Sequence, residues 1–86
     1  MDISNDTQQT VHYTVIDDGG GDPKVDKLLP DDTRHPEVGT TARLQLRTWD
    51  GMQPGVLLVD ELSGLVDTDK IRLQHKVLKN GVEVTL

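Results

Sequence analysis

Between residues 41 and 49 the chain alternates strictly, with Leu44, Leu46 and Thr48 facing one way and Arg43, Gln45, Arg47 and Trp49 the other. Period two is that of a β-strand with one buried and one wet face. The same period returns over 71–78, where Ile71, Leu73, His75 and Val77 oppose Arg72, Gln74, Lys76 and Leu78. Residues 11–16 are β-branched and aromatic, with Val11, Tyr13 and Val15 opposite His12, Thr14 and Ile16, and they predict the first strand. The apolar run 56–59 (V-L-L-V) predicts a strand buried on both faces. A helix continuing through Leu62 competes there, because Leu58, Leu62 and Leu65 also fit helical spacing. Asn80-Gly81 predicts a type I′ hairpin turn, since both residues tolerate positive φ, with 82–86 as the return strand.

Between the first two strands the pattern changes. Residues 17–21 (D-D-G-G-G) form a flexible turn, after which Asp22 suits an N-cap and Pro23 a first helical position. Val25, Leu28 and Leu29 then fall at helical spacing and Pro30 ends the run. A short helix over 23–29 is therefore expected; without it the gap from Asp17 to Thr40 is a long structureless loop. Residues 1–10 show no periodicity and read as a disordered lead. The expectation is a mainly β chain, α+β at the margin. A single small domain over 11–86 would form an antiparallel five-stranded barrel or sandwich, with one short helix between strands 1 and 2.

Composition narrows this picture. The 86 residues are 34% hydrophobic, with no Phe and only Tyr13 and Trp49 as aromatics, so the core must rest on Leu and Val. No cysteine is present, which removes disulfides and thiolate chemistry. No apolar run approaches the roughly 20 residues of a membrane span, and the polar start lacks a signal-peptide core. A soluble, cytoplasmic protein is the expectation. Asn5-Asp6-Thr7 matches a glycosylation sequon, which in a polar start without a secretory signal is attributed to chance.

The formal net charge of −6 lies wholly in the first half: residues 1–40 hold nine acids against Lys24, Lys27 and Arg34, whereas residues 41–86 hold six acids and six bases. Twelve of the fifteen acids are Asp, the carboxylate favoured in turns and caps. Such a balance argues against non-specific binding to nucleic acid or to an anionic membrane.

One internal echo links the two alternating strands. Ala42-Arg43-Leu44-Gln45-Leu46-Arg47 resembles Ile71-Arg72-Leu73-Gln74-His75-Lys76. If both lie on one sheet face, Arg43, Gln45, Arg47, Trp49, Arg72, Gln74 and Lys76 form a cationic, hydrogen-bonding surface. Its guanidinium forks can grip carboxylates, and its tryptophan can stack. A reader of single-stranded nucleic acid needs several stacking aromatics, and Trp49 alone falls short.

Other constellations carry less. Asp17, Asp18 and Asp22 could offer oxygen ligands to calcium, but they lack the alternating acids and distal Glu of an EF-hand loop; turns explain them. Gly19-Gly20-Gly21 is followed by Asp22, which repels phosphate, and by Pro23, which has no amide to donate; no phosphate loop is read there. His12, His35 and His75 lack zinc-ligand spacing, and His75 falls on the apolar face of its strand. Ser63 has no nucleophile-elbow context.

No metal, cofactor or enzyme activity is expected. The first functional expectation is a protein-interaction module, using the basic/Trp strand face or an exposed edge strand. Self-assembly or membership of a larger assembly is compatible with it. The alternative is an acidic inhibitor or nucleic-acid mimic, in which Asp17, Asp18, Asp22, Asp31 and Asp32 occupy a basic groove of a target.

Overall fold

Two sheets pack through one apolar core in the computed structural model, which describes residues 1–85. The nine strands, in chain order, are β1 (Asp2–Asn5), β2 (Val11–Asp17), β3 (Lys24–Leu28), β4 (Thr33–Arg34), β5 (Ala42–Trp49), β6 (Pro54–Leu65), β7 (Lys70–Leu73), β8 (Val77–Lys79) and β9 (Val82–Glu83). Sheet I has the order β3-β2-β5-β6 and sheet II the order β4-β1-β7-β8-β9. All pairings are antiparallel except β1 with β7, which are parallel. No barrel closes, and among the described residues no helix is long and apolar enough to cross a membrane.

The strict alternations form strands as expected. In β5, Ala42, Leu44 and Leu46 are fully buried while Arg43, Gln45 and Arg47 lie half-buried on the outside. In β2, Val11, Tyr13 and Val15 point inward. They meet Ile3, Ile71, Leu73 and Val77 of sheet II in a single core cluster. Burying each such side chain stabilises the fold by roughly 1.5–3 kcal/mol. The β8–β9 hairpin has the expected turn: Asn80 (φ 52°) and Gly81 (φ 83°) both adopt the left-handed conformation. The part of the expected return strand at residue 86 lies outside the described residues.

Besides the barrel that does not close and the nine strands found where five were expected, four expectations are corrected. The helix over 23–29 is strand β3, paired with β2 from Val11↔Leu28 to Val15↔Lys24. As a strand the segment turns one apolar residue to the core: Leu28 is fully buried, while Val25 and Leu29 are 56% and 51% exposed. Seven residues are also too few for a helix to hold without packing. The lead 1–10 is not featureless: β1 alternates, with Met1, Ile3 and Asn5 buried. The run 71–78 is two strands folded on each other, Leu73↔Val77 flanking a turn at 74–76 that exposes His75. Finally, β6 is a strand but not one buried on both faces; Val56 is 71% and Leu58 46% exposed.

β6 is also highly irregular. Its twelve residues lie beside the eight of β5 with four register shifts between Leu65 and Pro54. Gly64 takes φ 69° where one shift falls. At Gly55 a Cβ would come 2.6 Å from the Thr48 hydroxyl, so only glycine lets β6 approach there. Bulges of this kind bend and twist an edge strand.

Polar contacts tie the sheets along one side. Arg34 of β4 reaches Asp26 of β3 at 3.5 Å and Asp32 at 3.0 Å. Asn5 of β1, fully buried, donates from Nδ2 to the carbonyls of Leu28 (2.9 Å) and Gln9 (2.8 Å), and its Oδ1 accepts from the Thr7 amide (2.9 Å) and hydroxyl (2.6 Å). Both side-chain protons and both lone pairs are used. Asn5→Ala would leave these carbonyls and the Thr7 amide without their partner. It should cost roughly 2–4 kcal/mol of stability, read as a lower urea midpoint at unchanged slope; an unaltered midpoint would refute this role for Asn5.

Candidate functional site

The outward side chains of β5 take their neighbours from the register of sheet I. His12 lies opposite Arg47, Thr14 opposite Gln45 and Ile16 opposite Arg43. One strand further out, Lys27 lies opposite His12 and Val25 opposite Thr14. The three-strand rows Lys27–His12–Arg47 and Val25–Thr14–Gln45 thus share one outer face. Trp49, diagonal to His12, folds over this face. Its ring stacks on the His12 imidazole (centroids 5.9 Å apart, planes 18° apart), and the Lys27 ammonium lies 5.3 Å from the indole centroid. A cation held over an indole at such a surface is worth on the order of 0.5–1 kcal/mol. Stacking leaves His12 Nδ1 buried and without a hydrogen-bond partner. Desolvation, assisted by repulsion from Arg47 and opposed by Asp26, lowers the His12 pKa below its ordinary value.

The cations on this face are not equivalent. Arg43 is tied down, its Nε to Asp18 at 3.1 Å and its Nη1 to Glu61 at 3.3 Å. Among the described residues the Arg47 guanidinium has a single hydrogen bond, to the Gly55 carbonyl oxygen at 3.4 Å. Among the described residues neither Arg47 nor Lys27 has a carboxylate within ion-pair range. The positive charge left for a ligand is therefore concentrated around Trp49.

Arg43, Gln45, Arg47 and Trp49 are brought together as the sequence implied, but Arg72, Gln74 and Lys76 are not. The two echo segments belong to different sheets, β5 to sheet I and β7 to sheet II. Arg72 pairs with Asp6 at 2.5 Å, the Gln74 amide reaches the same carboxylate at 3.5 Å, and Lys76 sits in the turn between β7 and β8. Sequence reasoning also missed two members of the cluster. Lys27 was concealed by the helical reading of its segment. His12 falls on the face opposite Val11, Tyr13 and Val15, but nothing in the sequence discloses that β2 lies beside β5.

The acidic residues have mostly internal tasks. Asp17 accepts from the amides of Gly19 (2.9 Å) and Gly39 (2.9 Å) and from the Thr40 hydroxyl, pinning the 17–21 turn to the approach to β5. The Thr40 hydrogen bond above all, and then the two amides, hold the Asp17 pKa at about 2. Asp18 accepts from Thr41 (2.8 Å) besides pairing with Arg43. Asp32 accepts from the Thr33 amide (3.0 Å) and pairs with Arg34. Asp31 forms a turn at φ 61°, and Asp22 is simply exposed. His35 contacts Asp2 at 2.7 Å, remote in sequence from His12 and His75. Among the described residues no group of three or more His, Cys, Asp or Glu is placed to hold a metal ion.

Comparisons of the chain with protein-family models, with curated proteins and with solved structures gave no match.

Two titrations test this geometry. The Asp17 pKa is depressed, so its stabilisation is complete above the ordinary 3.8 and lost as pH falls through about 2. Asp17→Asn should lower the melting temperature at neutral pH and flatten the acid limb of the stability profile between those values. A wild-type acid limb in the variant would argue against it. The His12 ring protons, followed by NMR, should titrate below 6.5, with a parallel change in Trp49 fluorescence; a midpoint at or above 6.5 would contradict the stacked, desolvated ring.

Proposed function

We propose that this protein works by binding, docking an acidic segment of another protein on the outer face of sheet I around Trp49. The observation that carries this reading is the half-buried indole flanked by Arg47 and Lys27, two cations that have no counter-ion within the described chain. Trp and Arg dominate the energetics of protein interfaces, because each offers a large contact area together with directed polar groups. Arg47 can grip a carboxylate through two parallel hydrogen bonds, and Lys27 adds a point charge beside it. Exposed Val25 supplies apolar area next to the pair.

The alternatives have less support. Strand addition needs a regular free edge, whereas β6 is bulged along its length and β3 carries Lys24, Asp26 and Lys27 in five residues. Nucleic acid would meet a chain of net charge −6 with one tryptophan. An acidic mimic would draw on Asp17, Asp18, Asp22, Asp31 and Asp32; the carboxylates of Asp17, Asp18 and Asp32 are engaged within the fold, which leaves exposed Asp22 and Asp31 for a target.

Trp49 is the sole tryptophan, so its fluorescence reports directly on this face. Titration with a synthetic Asp/Glu-rich peptide should change the emission saturably, with affinity falling as salt rises. A Lys-rich peptide of equal length should have no effect. Replacing Arg47→Glu together with Lys27→Glu should weaken binding roughly tenfold or more, on the scale of lost charge-assisted contacts, with an unchanged circular dichroism spectrum. Equal responses to both peptides, or undiminished binding by the charge-reversed protein, would sink the proposal.

A further inference from the structure

Away from this face a cleft of about 440 Å³ opens where the rims of the two sheets meet, with exposed Leu58 and half-buried Val84 above the buried core residues Val11, Val59, Leu73 and Val77. That volume falls within the roughly 300–1,000 Å³ of small-molecule sites, which are characteristically apolar with a few converging polar groups. The cleft follows from the local structure. The register shift of β6 between its Val59 and Leu57 pairings leaves Leu58 on the cleft wall, 46% exposed. Opposite, the turn between β7 and β8 is fixed by the Gln74 amide donating to the Lys76 carbonyl at 2.8 Å. The chain after β9 is held as a further wall by the Val84 amide donating to the Val77 carbonyl at 2.9 Å.

The polar groups at the mouth are unequal. Among the described lining residues, His75 and Lys76 carry the basic side chains and Glu83 the one carboxylate. Lys76 is half-buried and has no carboxylate within ion-pair range among the described residues, whereas Glu83 is exposed and can remain hydrated. The neighbouring Arg72 and Gln74 are already engaged with Asp6. An anionic head group would give the Lys76 ammonium a counter-charge, and an aliphatic body would cover Leu58 and Val84.

We propose that this cleft binds a single-chain aliphatic carboxylate, its tail along Leu58 and Val84 at the rim of the sheets and its carboxylate on Lys76. The site is separate from the Trp49 face and stands or falls independently of it. Methyl-resolved NMR with decanoate, kept below its micellar concentration, tests the assignment against decyltrimethylammonium, which has the same tail and the opposite charge. Decanoate should shift the methyls of Leu58, Leu73, Val77 and Val84 saturably, and the cationic amphiphile should bind roughly tenfold more weakly, a difference of about 1.4 kcal/mol. Lys76→Glu should invert that preference, a gain for the cationic ligand that loss of folding could not produce. Glu83→Gln should leave decanoate binding intact or tighten it. The proposal is overturned by equal shifts from both amphiphiles, by shifts scattered outside the cleft, or by decanoate binding that Lys76→Glu does not weaken.

Discussion

The saturated side chain of Asn5 is the contact on which the rest of this fold is hung. Apolar packing holds the two sheets together but is not directional, and a core of Leu and Val offers little to fix how one sheet sits on the other. A buried carboxamide is costly unless every donor and acceptor is met. Asn5 meets that condition only in one arrangement, with β1, the 7–9 connection and the end of β3 all in place. Its main chain adds two bonds to the segment before β4, through the Asp32 carbonyl and the Asp31 amide. The anchoring reaches the surface as well. Leu28 is the residue whose carbonyl Asn5 holds, and Lys27, immediately before it, lies over Trp49. The sequon at Asn5 takes on a different meaning too: the acceptor nitrogen is wholly enclosed and its Thr7 partner is spent on the same carboxamide.

Charge is arranged by the same economy. The excess of Asp in the first half of the chain reflects loops rather than a ligand-facing field. Asp17 closes a turn, Asp32 and Asp26 hold Arg34 between the sheets, and Asp18 takes Arg43 out of the cationic face. Among the described residues five cations lack an ion-pair partner: Arg47 and Lys27 beside Trp49, Lys76 in the turn between β7 and β8, and Lys24 and Lys70 elsewhere.

Legibility in the sequence tracked how much of each element's pattern its own neighbours create. β5 and β2 declare themselves because every second residue is apolar, and the β8–β9 turn because Asn80-Gly81 tolerates a backbone few residues accept. β1 is hidden because one of its two inward positions is Asn5, a polar residue satisfied by the 7–9 connection and by Leu28. β3 is hidden because a single buried leucine in K-V-D-K-L fixes no period. Half of the basic surface was visible in β5; the echo at 71–76 misled because a strand pattern does not say which sheet the strand joins. His12 and Lys27 come beside Trp49 through pairing alone, and pairing is the quantity least encoded in local sequence.

The parallel pairing of β1 with β7 carries a consequence for how the molecule is made. Asp2 lies opposite Lys70 and Asn5 opposite Leu73, so β1 finds its partner only once residues 70–73 have been made. Until then the inner edge of sheet II stands open at β7, with Ile71 and Leu73 uncovered. Pairing across so long a loop belongs to the slow, high-contact-order end of folding. Assembly is thus a whole-chain event, and the interval before β1 docks is when this protein is most exposed to chaperones, proteases and the edges of its own copies.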